Sequence, residues 1–532
     1  MSETEMRALP AGLEEAQEAE AKEKAQMIDP LEKELFHGST FRNNETGEEF
    51  HLPVLTKLNS IKEIKTMFKE WRKAYFKFSE ADAKNEKKSP PKSLQPLTVA
   101  KVIMRVMYVI RLESEIGHVA IYNPENGLYV PTDGFIHKVI YWLEPTFNIQ
   151  KSKEVIFKLE TLARVKESTN SMYLIHVKNG IFDKKRQELL PFSPQYIFTS
   201  TIATAYRKNE KLPIIDGWDV DGWLLDLVGG DEELNQSLWE IISASTSSAC
   251  SYRKGVWLLG AGNDGKGTFQ ELIMNLIGFE NVETMLAEDF QKNFALENLP
   301  GKTVIIGDDS QAKYLDNASN YFSAVTGDNL TIEPKGKARY SFKFKGLVIQ
   351  SANFLPTFRN KSNGLYRRML IIPFMKKFTA DNDNWKIKDD YITRPEVLEY
   401  VLVKALSLNF ERLIEPKASL AQLEQFKEDN DNVLAFVNEW LPQFESNFLP
   451  TSFLFWFYKA QISYNGQRAN SYREFSKALT NCLPDNWVRS TQRLKGKFVS
   501  RDIEKARRFR TSEFSFTDEE LLSSHKGILR KI

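Results

Sequence analysis

Only two cysteines occur in 532 residues, Cys250 and Cys482, and each stands alone. A disulfide framework and a Cys-based zinc centre are therefore excluded, and a reducing compartment is the natural home. The six histidines (His37, His51, His118, His137, His176, His525) are scattered and never approach an H-E-x-x-H spacing. No apolar run reaches the roughly 18 residues of a membrane span. The amino terminus is acidic where a secretory signal would be basic and then apolar, so a soluble, cytoplasmic protein is expected. A surplus of one charge is also missing: 72 Lys plus Arg against 71 Asp plus Glu leave +1. A uniformly basic nucleic-acid coat is excluded, whereas local basic patches are not. What is present is ordinary globular composition, 42% hydrophobic and 27% charged. At about 150 residues per domain, the length suggests three or four domains.

The stretch 12–27, GLEEAQEAEAKEKAQM, has almost no apolar stripe and reads as a solvent-bathed helix or tail. Residues 53–83 carry Leu55, Leu58, Ile61, Ile64, Met67, Phe68 and Trp71 at helical spacing. NEKKSPPKSLQP at 85–96 is the clearest linker, which places a first region at 1–96. Residues 97–240 mix elements: a helix over 98–112, a hairpin over 121–131 and a second hairpin-like unit over 175–194. From Val256 to about residue 375 strands and helices alternate, which implies a mainly parallel sheet. Helices are expected again at 394–414 and 418–441, then at 450–463 and 471–482. The last two, followed by a basic strand-like run, resemble a winged helix. From Arg493 to Arg510 eight basic residues face two acids, which suits duplex binding or a solvated face. Trp456, Phe457 and Tyr458 read as core.

The strand Gly255–Leu259 runs into Gly260-Ala-Gly262-Asn263-Asp264-Gly265-Lys266-Gly267-Thr268 and then a helical segment. Strand, glycine loop, lysine and helix form the context of a phosphate-binding loop. Glycines let backbone N–H groups converge on phosphate oxygens, and the helix start adds partial positive charge. The loop departs from the usual motif at Gly267, where a hydroxyl is expected for magnesium; Thr268 is the nearest one. A second apolar strand, Thr303–Gly307, ends in Asp308-Asp309, where one acid would hold magnesium and the other a water. A third, Leu347–Ala352, ends at Asn353, suited to a γ-phosphate or water contact, or simply to a turn. Arg367-Arg368 follow, candidates for a charge supplied across a subunit interface.

In this order and spacing the pieces resemble a superfamily 3 helicase of the AAA+ class. The likeness is nearer to the phage/plasmid primase P4 family with its D5-type amino-terminal region, and to replication proteins of staphylococcal-type mobile elements. VKNGIFD with LLPFSP (177–194), GAGNDGKGTF (260–269), VIIGDD (304–309), TGDNLTIEPKG (326–336), QSANFLP (350–356) and YRRMLIIPF (366–374) carry it. The resemblance implies a multidomain α/β chain: a D5-like mixed α/β domain at 97–240, an AAA+ P-loop ATPase core with a parallel sheet at 241–380, a helical lid at 381–440 and a winged helix at 441–532. It implies ATP and Mg2+, with Lys266 as the Walker A lysine, Asp308 and Asp309 as the Walker B acids and Asn353 as the sensor. Arg367 or Arg368 is the finger acting in trans, within a ring that is usually a hexamer threaded by DNA. The DNA-gripping hairpin would be 326–346, with Lys335, Lys337, Arg339, Lys343 and Lys345. That basic stretch also reads as a lysine-dressed edge strand.

Primases of this group carry metal-binding acids with a His, or Cys/His ligands. The Asp219-Val-Asp221 pair instead suits a helix start. Priming is therefore expected from a separate partner. Two other readings stay open: an origin-binding initiator that loads another helicase, and a remodeller of proteins. Residues 1–95 could serve as an oligomerisation collar, a partner dock or an extension.

Overall fold

A computed structural model of the chain describes residues 40–531 except 43–46, 48, 86–88, 113–117, 209–210, 248, 311–313, 316, 334, 336–338, 359–362, 380–382, 465–468, 495–500, 506–508 and 510–522. The tail expected at 12–27 lies outside the described residues. The helical periodicity around Trp71 produces α1, Ile61–Asn85. Its residues Ile61, Ile64, Phe68 and Trp71 are buried at spacings of three and four, one face of a 3.6-residue helix. They pack with Val99, Ile103 and Val106 of the helix Pro96–Val106, and with Val139, Leu143, Val155 and Leu159 of the helices Asp133–Leu143 and Ile149–Leu162. The expected division at residue 96 thus falls inside one core.

The helix expected over 98–112 stops at Val106, and Val109–Leu112 is a strand. Its alternating burial belongs to a sheet that also holds the antiparallel hairpin Val119–Asn123 and Leu128–Val130. Nor is the Pro/Lys-rich stretch before Pro96 loose throughout. Leu94 is buried, and its N–H donates to the Glu144 carboxylate 3.0 Å away. Glu144 is fully buried and also accepts from Arg72 Nη2 at 3.0 Å and Thr146 Oγ1 at 2.6 Å. Burial works to raise its pKa, but the hydrogen bonds from Arg72, Leu94 and Thr146 outweigh this and hold the carboxyl below the ordinary range. A group with a depressed folded pKa stabilises above its unfolded pKa and loses that contribution as pH falls through the folded one. Glu144→Gln should therefore cost about 2 kcal/mol above about pH 5, since it leaves Arg72 without its counter-charge. The gap to wild type should close in acid, as urea titrations at pH 7 and pH 3.5 would record.

The second region is built on five parallel strands: β1 Gly255–Leu259, β2 Val282–Thr284, β3 Val304–Ser310, β4 Leu347–Ala352 and β5 Met369–Pro373. Their order is β2-β3-β4-β1-β5. Apolar side chains fill both faces, as parallel sheets require. Val256, Leu258, Ile306, Ile349 and Ile372 face the helices Glu232–Ser245, α2 (Lys266–Ile277) and Pro395–Ser407. Trp257, Ile305, Val348 and Ile371 face the helix Ser319–Thr326 and the hairpin Asn329–Ile332 with Tyr340–Lys343. Helix Glu232–Ser245 crosses the division expected at 240. The earlier hairpin unit is present as Leu174–Val177, Gly180–Asp183 and Glu188–Leu190. Asp219 caps the helix Val220–Leu227 by accepting from Gly222 N–H at 2.8 Å, a structural role for that acid pair.

The single helix expected over 418–441 is two, Lys417–Asn430 and Asn432–Trp440. Asp431 between them accepts from Val433 and Leu434 N–H and starts the second helix. Beyond it, helices Thr451–Tyr464 and Tyr472–Asn481 pack with a three-stranded antiparallel sheet ordered Phe448–Pro450, Ser524–Arg530, Trp487–Arg493. Phe457 and Tyr458 are fully buried there. Within the basic run, Asp502 is buried and accepts from Ser446 and Glu445, while Lys495, Lys497, Arg507, Arg508 and Arg510 lie outside the described residues. Among the described residues no helix is long and apolar enough to cross a membrane.

Candidate functional site

Four helical and strand ends meet outside the carboxyl end of β1. After Leu259 the chain turns through Gly262 (φ 93°), Asn263 (φ 50°) and Gly265 (φ 88°) before α2 begins at Lys266. Glycine is required at 265: its φ is left-handed, and an added Cβ would stand 2.5 Å from Leu227 Cδ2. The turn points N–H groups inward, and the Asp264 carboxylate sits among them. It accepts from Gly262 N at 3.1 Å, Lys266 N at 3.3 Å and Lys266 Nζ at 2.5 Å. Lys266 is itself buried, and its Nζ also donates to Gly260 O at 3.2 Å and Asn353 Oδ1 at 3.3 Å. Asn263 ties the loop to a later segment, donating from Nδ2 to Phe378 O (2.6 Å) while its carbonyl accepts from Phe378 N–H (2.8 Å).

The acids stand beside this loop. The pairing of β3 with β4 shifts register between Gly307 and Ser310, and Asp309 adopts φ 52°. In a regular strand neighbours point to opposite faces; the bulge leaves Asp308 and Asp309 both exposed. Ser351 of β4 fixes the pair, donating to Asp308 Oδ1 at 2.7 Å and accepting from Asp309 N–H at 2.9 Å. A Cβ placed on Gly267 would stand 3.9 Å from Asp308 Oδ2, so position 267 faces the acid. Thr268, about 100° further round the helix, lines the same cleft. The cleft measures about 540 Å³ and is walled by Gly262–Thr268, Asp308, Asp309, Ser351, Asn353 and the aromatic rings of Trp223, Phe378 and Trp385. Among the described residues no cluster of three His, Cys, Asp or Glu side chains could hold a metal ion.

Arg367 and Arg368 lie elsewhere. The Arg368 carbonyl accepts the Gly255 N–H at the entry to β1, a strand length of about 16 Å from the loop. Both arginines line a second cleft of about 1070 Å³ together with Arg253, Lys343, Lys345 and Arg412. The hairpin's buried Leu330 and Ile332 anchor it to the sheet. Its cations divide: Arg339 pairs with Glu333 at 3.0 Å, Lys335 is exposed beside Glu297, and Lys337 lies outside the described residues. Lys343 and Lys345 at its base join the arginines. Sequence reasoning overlooked Ser351, whose signal was its place two residues before Asn353, in the strand beside the acids. It also overlooked Gln270, which donates to Gly307 O at 3.2 Å behind them.

Three segments match protein-family models. Residues 101–226 match a family described as D5 N terminal like, and residues 428–510 one described as Poxvirus D5 protein-like. Both flanks of the parallel sheet are D5-like. The segment that bears the loop, 258–368, matches a family of unknown function, DUF5906. Among solved structures, an apo structure of the NrS-1 C terminal region is similar to this chain at 11% identity and a TM-score of 0.46, covering 82% of this chain and 99% of its own. A second apo form of that region matches at 12% identity and a TM-score of 0.45, covering 82% and 100%. The D5-like segment 101–226 ends on the helix Val220–Leu227, whose Leu227 packs against Gly265 of the loop.

Proposed function

We propose that the chain is an ATP-dependent DNA helicase and replication initiator of a mobile genetic element, working as a homo-hexameric ring. The observation that carries this reading is the convergence of Lys266, Asp308, Asp309 and Asn353 on one cleft. That cleft lies outside the carboxyl ends of β1, β3 and β4, where connections leave β1 and β4 in opposite directions; such a switch point is where open α/β sheets bind ligands. The donor set fits a phosphate: a carboxylate, Asp264, is already seated among the loop's N–H groups and the lysine. Lys266 and the amides of Gly262–Thr268 would hold the β- and γ-phosphates of ATP. Asp308 and Thr268 would hold Mg2+, which when bound neutralises charge on the phosphates. Asp309 and Asn353 would orient the attacking water. Arg367 or Arg368 would act from a neighbouring subunit, since each lies at the far edge of its own sheet.

The D5-like flanks support a role in replication, and the paired helices and three-stranded sheet at the carboxyl-terminal end support a winged helix that docks on duplex DNA. Strand displacement on forked DNA, with Lys266→Ala as control, tests the reading. ATP-dependent unwinding lost in the variant would uphold it. DNA-stimulated hydrolysis without unwinding would favour an initiator that loads another helicase.

Asp264 gives a separate expectation. Its carboxylate occupies the place of a phosphate oxygen, so Asp264→Asn should tighten binding of a non-hydrolysable ATP analogue by about 5–10-fold, roughly 1 kcal/mol, in calorimetric titration. Weakened binding would instead assign the acid to positioning Lys266.

A further inference from the structure

The buried face of α1 is matched by an uninterrupted basic stripe beside it. Lys65, Lys69, Lys73 and Lys77 recur every four residues, about 6 Å apart along the helix axis, and all four are exposed. They line a groove of about 970 Å³ whose opposite wall is Pro91, Lys92, Tyr141 and Trp142, with Glu80 as its acid. Tyr141 is 63% exposed, a large ring held out in water. Trp142 is already engaged by a cation: Lys65 Nζ lies 4.7 Å from its ring centroid. Phe135 holds the Trp142 ring edge-on, with centroids 6.2 Å apart. Arg72, in the same groove, is neutralised by Glu144, so Lys69 and Lys73 carry the argument for excess charge.

We propose that this groove binds single-stranded nucleic acid, its lysines on successive phosphates and Tyr141 stacked on a base. A basic track with exposed rings is how sequence-tolerant single-strand sites are built, because every base has a π-face. An acidic protein would satisfy the lysines but would give the exposed aromatic wall no role. The spacing also favours an extended strand over a duplex, whose phosphates would not lie along one straight helix while its stacked bases reached Tyr141. This surface stands apart from the loop cleft, so the inference does not depend on ATP hydrolysis.

The test uses the full chain without nucleotide, with fluorescein-labelled dT20 and rU20 in anisotropy titrations from 50 to 200 mM salt. Lys69→Glu with Lys73→Glu should weaken binding at least ~10-fold at 50 mM salt and flatten the log–log salt slope by about 1.4, the value for two single-strand phosphate contacts. Tyr141→Ala should weaken it by about 5–100-fold, with Tyr141→Phe near wild type, as loss of one stacked base predicts. These residues are exposed, and unchanged melting curves would show the variants folded. Photo-crosslinking with 5-iodouracil oligonucleotides should label residues 61–80, 91–92 or 141–142. Equal losses with dT20 and rU20 would assign the site to either strand chemistry, and a loss confined to one would assign it to that strand. Unchanged affinity and salt slope in the double lysine variant, or crosslinks only outside these segments, would overturn the proposal.

Discussion

Lys266→Ala should lower ATP hydrolysis by about 10³-fold or more, the scale of removing a preorganised charge from a phosphoryl-transfer site. Three contacts now hold the ammonium: the Asp264 carboxylate, the Gly260 carbonyl and the Asn353 side chain. Alanine therefore removes the cation and also frees Asp264, leaving a carboxylate to repel the phosphates. Binding should suffer along with turnover, so both kcat and KM should move. Lys266→Arg is not a rescue, because a planar guanidinium cannot fit the three-way contact of a buried ammonium. Steady-state phosphate release by wild type, Lys266→Ala and Asp309→Asn would check this. Retained hydrolysis in either variant would remove the cleft from the reaction.

The second large effect concerns Arg367 and Arg368. An arginine supplied to a transferring phosphoryl group contributes about 10³–10⁵ in rate, so one of the two alanine variants should fall by at least the lower figure. Within one chain neither arginine reaches the loop, because Arg368 sits at the amino end of β5 beside the start of β1. A head-to-tail interface would bring that edge onto the next subunit's cleft. Mixing inactive Lys266→Ala subunits with the inactive arginine variant should then restore measurable hydrolysis, since some interfaces pair an intact loop with an intact arginine. No recovery across mixing ratios, with subunit exchange shown by labelled chains, would remove both arginines from hydrolysis in trans.

The parallel sheet and its loop were legible because their signals are local. Short apolar runs ending in Gly, Asp-Asp or Asn mark buried strands whose polar tips share one edge. That Asp308, Asp309 and Asn353 lie near Lys266 follows from strands being parallel. Contacts set by side-chain geometry were not legible. Nothing in Asn-Asp-Gly-Lys tells that Asp264 folds back onto Lys266, and one serine in an apolar strand does not announce that it braces two acids. Other misreadings came from tertiary override. A proline- and lysine-rich stretch reads as linker, yet Leu94 is buried and Glu144 caps its amide. Helical spacing over 98–112 continues past Val106, but Val109 and Ile110 pair with Ile121 and Ala120 and join a sheet. A continuous pattern over 418–441 conceals Asp431, which ends one helix and starts the next.

The tie between the loop and the segment after β5 has a mechanical meaning. Asn263 grips Phe378 through two hydrogen bonds, Leu259 O accepts from Phe374 N–H, and Leu227 O accepts from Met375 N–H. Each is worth about 1 kcal/mol, and together they stitch five residues of outgoing chain to the loop and to the D5-like helix behind it. A shift of the loop would have to break these bonds or carry them with it. The seam thus fixes the outgoing chain against the loop, on the same cleft that Trp385 lines.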